Sequence, residues 1–339
     1  MTVNRIAFQK ALETVAPVVG NGGNASLNEH YFFKDDAIVG TDFDRYISAK
    51  FTTGITCAVN SKKLLPFVKS LTSENVHISL ENAVLTVGFG KVSAKFATVE
   101  FEAPWPDMEK AEFVAFPFDK ERFNACYAVT APFVSVDETR RILMGVNIVN
   151  TEQGVFMQAT DGRRLARVKL NEPIEGLEEL LLMPSFLALM RNEEITEYAV
   201  APSCVAFTCK SGNIYAGRRL IGAYPNTVQV IPNTDNPDYS KVAFPETVVE
   251  HVRRAMIINA DSIKMVITED SCTITCQADD NDFVETIPVS ASKEVTVIYN
   301  PKYLLPLLKA STTMFISANS PGSVSYMDGK LIVMPLRLS

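Results

Sequence analysis

Asp161 and Arg164, three residues apart in ATDGRRLA, are of the types that make an acid–base or anion-orienting pair. Asp35, Asp36, Asp42 and Asp44 form an acidic group of the kind that ligates a hard metal ion. Neither group has what such chemistry needs around it. His30, His77 and His251 are scattered, so no nucleophile–His arrangement and no four-ligand zinc set is read. The glycine-rich run GNGGN at 20–24 has no following Lys-Ser/Thr and is not a phosphate loop. Paired Asp residues at strand ends are ordinary solvated turn chemistry. Neither an enzyme nor a metal site is expected, and no cofactor is implied. Cys272 and Cys276, in the alternating run SCTITCQ, are expected on one strand face, and the same reading extends to Cys204 and Cys209. All six cysteines are read as buried, reduced, structural thiols. The sequon at Asn24 carries no weight for a cytosolic chain.

The elements that must position these residues recur along the chain. TDFDRYISAKF, ATDGRRLARVKL and QADDNDFVETIPV each read as an Asp-marked turn followed by an alternating strand, with Asp42, Asp161 and Asp279 spaced 119 and 118 residues apart. NSKKLLPFVKSL and NPKYLLPLLKAS place the triplets that start at Leu64 and Leu304 240 residues apart, and PSFLALMRN fills the middle slot. Both outer copies read as short helices with an Asn cap, each weakened or kinked by an internal proline, Pro66 or Pro306. A further helix heads each unit: RIAFQKALETVA, KERFNACYAVTA and PETVVEHVRRAM, the last with Pro245 at a first-turn position. Between the helices the runs alternate or are β-branched, and hairpin turns such as the Asp-Gly of SYMDGKLIVMP separate them. The fold class is α+β: three similar domains over 1–113, 114–238 and 239–339, each packing two helices on antiparallel sheet. No apolar run approaches the roughly 20 residues that span a bilayer, and the first residues lack a signal-peptide apolar block, so a cytoplasmic location and no membrane partner are expected.

The net charge of −7 argues, as a sum, against nucleic acid. Its distribution argues otherwise. Across the six helices there are twelve basic residues against five acidic ones: Arg5, Lys10, Lys62, Lys63 and Lys69 in the first unit, Lys120, Arg122 and Arg191 in the second, and Arg253, Arg254, Lys302 and Lys309 in the third. The rest of the chain holds the acidic excess. Basic helices on an acidic body suit sequence-independent contact with phosphates, and no aromatic–basic interleaving suggests base stacking.

With these residues in hand, the chain resembles the bacterial beta sliding clamps, the beta subunits of DNA polymerase III. ATDGRRLA (159–166), GAYPNTVQVIP (222–232), NPKYLLPLL (300–308), IVMPLRL (332–338) and TRRILMG (139–145) are similar to family stretches in the same order. Arg163 stands where the family commonly has histidine, Gln229 where a basic residue is expected, and Ser339 lies past the usual terminal leucine. The resemblance implies a DNA clamp fold, three domains per chain pairing head-to-tail in a dimeric ring, and a non-catalytic processivity factor. It implies duplex DNA, a replicative DNA polymerase, a clamp loader and other proteins with short apolar motifs as partners.

The resemblance also implies a partner-peptide groove. From the middle unit it takes Leu143, Thr160, Gly162, Arg163, Arg164, Leu165, Pro225 and Val230. From the last unit it takes Asn300, Tyr303, Ser323, Val324, Ile332, Val333, Met334, Pro335, Leu336 and Arg337. Met334 and Leu336 suit adaptable apolar walls, and Arg164 suits a stem on apolar surface with its head on carbonyls. The ring interface implied is Trp105 against Ile257 and Ile258. A repeat-built scaffold that binds proteins without DNA is the competing reading, and the basic helices speak against it.

Overall fold

The computed structural model describes the chain apart from residues 21–25, 101–104, 107, 109–110, 118, 259–260, 279 and 337–339. The Gly-rich run beyond Gly20, Asn24 of the sequon, the third marker Asp279 and the groove residue Arg337 therefore lie outside the described residues. Six α-helices are present among them: α1 (Arg5–Val15), α2 (Ser61–Ser70), α3 (Lys120–Thr130), α4 (Pro184–Leu187), α5 (Val248–Met256) and α6 (Pro301–Ala310). Two compact units share the chain, one made of 1–121 with 185–219, the other of 122–184 with 220–339.

The first unit holds a twelve-stranded antiparallel sheet. Its centre runs His30–Lys34, Ala37–Thr41, Arg45–Lys50, Ile214–Arg218 and Cys204–Cys209, so strands of the first repeat continue into strands of the second. The joint is the pairing of Tyr46 with Ala216 and of Ile47 with Tyr215. α1 begins because Asn4 accepts a hydrogen bond from the Ala7 amide, 3.0 Å, satisfying one orphan donor of the first turn. It buries Phe8, Ala11, Leu12 and Val15, the 3–4 spacing of one helix face. That face packs closely on the sheet at Gly40, where a Cβ would come within 2.4 Å of Val15 Cγ1. α2 starts the same way, with Asn60 accepting from the Lys62 amide at 3.1 Å.

The second unit holds a nine-stranded and a four-stranded antiparallel sheet. The core of the larger one runs Val146–Thr151, Gly154–Thr160, Arg164–Asn171, Gly329–Val333 and Gly322–Tyr326. The smaller runs Asn281–Pro288, Ser271–Ala278, Ile263–Ile267 and Val295–Tyr299. α6 repeats the Asn cap, Asn300 accepting from the Lys302 amide at 2.9 Å, and buries Leu304, Leu307 and Leu308.

Pro66 and Pro306 lie inside α2 and α6, which are short as expected, ten residues each, while other local expectations are corrected. Pro costs one i→i−4 bond and crowds one carbonyl, and these amphipathic helices hold through the loss because their apolar faces are buried. Pro245 is not in the first turn of α5, which starts at Val248; the Pro245 carbonyl accepts the Val248 amide at 3.0 Å in a preceding turn. The middle helix of the second repeat shrinks to α4 and one 3-10 turn at Ala188–Met190. The hairpin in SYMDGKL turns on Met327 and Asp328, both at positive φ, with Tyr326 paired to Gly329. The glycine is needed one place later than an Asp-Gly turn would put it, since a Cβ on Gly329 would lie 2.0 Å from the Arg167 carbonyl oxygen.

All six thiols are free, four of them buried. Burial pushes the Cys126, Cys209 and Cys272 thiols up to about 12 and Cys57 to about 11. Cys272 and Cys276 lie four apart in one strand and share a face, as expected. Cys204 and Cys209 do not: five apart in Cys204–Cys209, they fall on opposite faces, and both are buried because that strand is covered on both sides. No helix among the described residues is long and apolar enough to cross a membrane.

Candidate functional site

The Asp161–Arg164 pair builds a turn. Thr160 Oγ1 accepts from the Gly162 amide at 3.0 Å and donates to the Arg164 carbonyl at 2.7 Å. Asp161 Oδ1 accepts from the amides of Arg163 and Arg164, and Oδ2 from Arg164 Nε at 2.9 Å. Gly162 takes φ +87°, which favours glycine. The same device stands at the first repeat: Thr41 Oγ1 to the Arg45 carbonyl, Asp42 Oδ1 under the amides of Asp44 and Arg45, and Asp42 Oδ2 to Arg45 Nε at 2.8 Å. Phe43 takes φ +72° where the second repeat has Gly162. These carboxylates are consumed by turn hydrogen bonds, and no cluster of metal-ligating side chains exists among the described residues.

Arg164 is then locked within the second unit. Its guanidinium lies 5.0 Å from the Phe133 ring centroid and 4.7 Å from that of Tyr303. Its NH2 donates to the Pro132 carbonyl at 2.6 Å. The head reaches a carbonyl, as the sequence suggests, but one of its own chain. The Thr160 amide donates to the Tyr224 hydroxyl at 3.0 Å, tying the Tyr-Pro turn to this loop, and burial pushes the Tyr224 phenol far up.

The residues of the expected groove divide by accessibility. Gly162, Arg163, Pro225, Val230 and Met334 are exposed, while Leu143, Arg164, Asn300, Tyr303, Pro335 and Leu336 are half-buried. Thr160, Leu165, Ser323, Val324, Ile332 and Val333 are buried in the nine-stranded sheet. Register places Thr160, Leu165, Ile332 and Ser323 in one cross-strand row on one face. Val324 and Val333 alternate to the other face. Asn300 acts as the cap of α6. The chain beyond Val333 stays close by, with the Met334 amide donating to the Arg163 carbonyl at 2.9 Å and the Leu336 amide to Ile298 at 2.7 Å. Exposed apolar side chains are therefore offered by two segments of the expected groove, Val228 and Val230 beside Pro225, and Met334 after the last strand. Tyr224, Phe133 and Val228 belong to this site and were not singled out from sequence. Only the proline after Tyr224 marked that turn.

The twelve helix cations also divide. Lys62 pairs with Glu29 at 2.6 Å, Lys69 with Glu13 at 3.0 Å and Arg254 with Glu285 at 2.6 Å. Arg5 donates to the Ser73 carbonyl, Lys120 to that of Asn192, and Arg122 to those of Lys169 and Met327. Lys10, Lys63, Arg253, Lys302 and Lys309 are exposed and make no ion pair among the described residues, and Arg191 is exposed. Trp105 packs inside its own unit, edge-on to Tyr46 at 5.9 Å and against Phe32, Val39 and Ala58. Ile257, at the end of α5, is 76 % exposed, and Ile258 is half-buried.

No family model matches the chain. Among curated proteins it is 25 % identical over 260 residues to the beta sliding clamp of Bacillus subtilis, covering 71 % of this chain and 68 % of that protein. A 106-residue stretch, 29 % of this chain and 28 % of the relative, is 35 % identical to the beta sliding clamp of Staphylococcus aureus. Among solved structures, a DNA polymerase sliding clamp from Pseudomonas aeruginosa superposes with a TM-score of 0.88 at 19 % identity, over 100 % of this chain and 99 % of that one. One from Caulobacter crescentus gives 0.88 at 22 % identity over 99 % of each. The α+β fold of helices on antiparallel sheet is thus that of the sliding clamps along the whole chain.

Proposed function

We propose that this relative of the beta sliding clamps is itself a DNA sliding clamp: a non-catalytic processivity factor that encircles duplex DNA and tethers a replicative polymerase. The observation that carries the reading is the likeness of fold over essentially the full length of both chains. The repeated Thr-Asp-x-x-Arg turn supports it, because it marks equivalent positions 119 residues apart in a chain we divide into domains 1–113, 114–238 and 239–339.

In this reading two chains close a ring, the first domain of one meeting the third of the other. Strand Asn281–Pro288 lies at the edge of its four-stranded sheet and carries Val284, 69 % exposed, while Ile257 stands exposed at the end of α5. An unpaired strand edge flanked by apolar side chains is what a second chain can extend. Trp105, half-buried and edge-on to Tyr46, offers the first-domain side of that interface, and Ile257 and Ile258 the third-domain side. The helix cations, above all the exposed Lys10, Lys63, Arg253, Lys302 and Lys309, face the phosphates. The groove takes short apolar peptides of the polymerase, of a clamp loader and of other partners, between Pro225, Val230 and Met334. The protein works in the cytoplasm, on DNA.

The test is topological. Protein loaded on nicked circular DNA stays through gel filtration and leaves when the circle is linearised. Equal retention on both forms overturns the ring. In solution the mass is expected at about 75 kDa, twice the 37.3 kDa chain, by closed two-subunit symmetry.

A further inference from the structure

The sheet face that carries the groove continues into a second, charged row. Gln158 pairs with Arg167, Arg167 with Lys330, and Lys330 with Ser325. Each is two residues along its strand from Thr160, Leu165, Ile332 and Ser323, so both rows project from the same face, about 7 Å apart. Arg167 is 6 % exposed. Its NH1 donates to Gln158 Oε1 at 2.7 Å, and its guanidinium carbon lies 4.0 Å from the Phe156 ring centroid. No carboxylate among the described residues pairs with it. Asp328, on the same rim, is 78 % exposed and 3.5 Å from Arg122. Burial alone holds the Arg167 pKa down, with no opposing charge to raise it. A cation this deep ordinarily has an anionic partner, and the one side-chain hydrogen bond seen for Arg167 among the described residues uses one of its five N–H donors.

Arg167 lines an open pocket of about 490 Å³, shared with Phe156, Ile231, Met327, Asp328 and Lys330. That is the size of a ligand pocket. We propose that it binds a carboxylate, the acidic side chain of a peptide whose apolar residue occupies the adjoining groove; the inference rests on the groove reading above. The guanidinium fork matches a carboxylate in two parallel hydrogen bonds. Ile231 and Met327 flank the methylenes of an Asp or Glu, and Lys330, whose Nζ donates to Ser325 Oγ at 2.7 Å, adds a second positive charge. Asp328 on the rim favours a monoanion over a phosphate dianion.

The probes are fluorescein-labelled heptapeptides with a Leu-Leu pair and one Glu placed one, two or three residues to either side, each with a Gln counterpart. They are read by anisotropy on the full-length protein. At least one Glu peptide is expected to bind about tenfold tighter than its Gln counterpart. Arg167→Gln is expected to bring that ratio near one. Lys330→Gln, on the half-buried rim, lowers it as well and serves should Arg167→Gln fail to fold. A wild-type ratio near one at every position, or a ratio that survives both variants, overturns the proposal. So does Arg167-dependent binding of free 3-phenylpropionate without any Glu preference among the peptides, which would make the ligand a free acid. The paired variant Met334→Ala/Leu336→Ala separates the two readings. If it leaves every peptide unaffected while Arg167→Gln removes the Glu preference, the groove fails and the pocket stands. If it weakens Glu and Gln peptides equally while Arg167→Gln changes nothing, the reverse holds.

Discussion

Asp161 carries two backbone amides and one arginine, and the arginine is in turn held between two rings. Removing the carboxylate leaves the Arg163 and Arg164 amides and a guanidinium without a countercharge, where the paired side chains are only 13 % and 11 % exposed. Breaking such a pair from one side costs about 3 kcal/mol. Asp161→Ala should therefore lower the urea midpoint at an unchanged m-value. A loss below about 1 kcal/mol would mean that the rings and the Pro132 carbonyl hold Arg164 unaided, at the level of a single ordinary hydrogen bond. Gly329 makes a second residue-scale case. Gly329→Ala drives a Cβ into the backbone oxygen of Arg167, which no side-chain rotation relieves. Overpacking of this kind costs about 1–3 kcal/mol, again read from the unfolding midpoint. Thiol chemistry gives a third. With Cys126, Cys209 and Cys272 pushed up to about 12 by burial, almost none of their thiolate exists at pH 8. A thiol reagent should modify half-buried Cys276 well before these three, which should react only on unfolding.

At the scale of elements, the helices were the most legible part of the sequence. Asn60 and Asn300, read as caps, each cap their helix, and Asn4, not singled out from the sequence, caps α1 in the same way. Pro66 and Pro306 were read as weakening their helices because proline propensity is local, whereas the burial of Leu64 and Val68, or of Leu304 and Leu308, comes from tertiary packing. The proline is nonetheless a cost: Lys62 O has no helical amide to accept at position 66. Pro66→Ala should stabilise the chain, by up to about 3 kcal/mol, and calorimetry would show it as a raised midpoint. An unchanged or lowered midpoint would show that the ring packs usefully where it lies. Strand faces were less legible. Period two says which neighbours share a face but not which face is covered, so Cys204 and Cys209 were set together although five residues apart. The groove motif likewise joined Ile332 and Val333, which point to opposite faces. The pocket at Arg167 was not legible at all, because residues 156, 167, 231 and 330 meet only through cross-strand register and a linker turn.

At the scale of the whole molecule, a chain of net charge −7 can hold DNA only if the repulsion is kept away from the surface the DNA meets. The helices supply that segregation, but not with all twelve cations. Lys62, Lys69 and Arg254 are neutralised by ion pairs, and Arg5, Lys120 and Arg122 are turned onto carbonyls. Lys10, Lys63, Arg253, Lys302 and Lys309 carry no such partner among the described residues. A few loose cations per chain favour weak, sequence-independent contact with phosphates, which suits the proposed clamp, held by topology and required to slide. Affinity for a duplex should be low and should fall steeply with salt. The quadruple variant Lys10→Glu, Lys63→Glu, Lys302→Glu, Lys309→Glu should abolish retention on nicked circular DNA, because it removes four positive and adds four negative charges per chain at the helix surfaces. The same variant should keep the dimer mass and its affinity for apolar peptides, since none of the four residues contributes to the groove or to the Ile257 surface. The matched variant Lys62→Glu with Lys69→Glu perturbs residues already paired and should reduce retention less per charge. Retention on circles indifferent to the quadruple variant would place the DNA elsewhere on the molecule. Loss of the dimer mass would instead tie these helices to assembly.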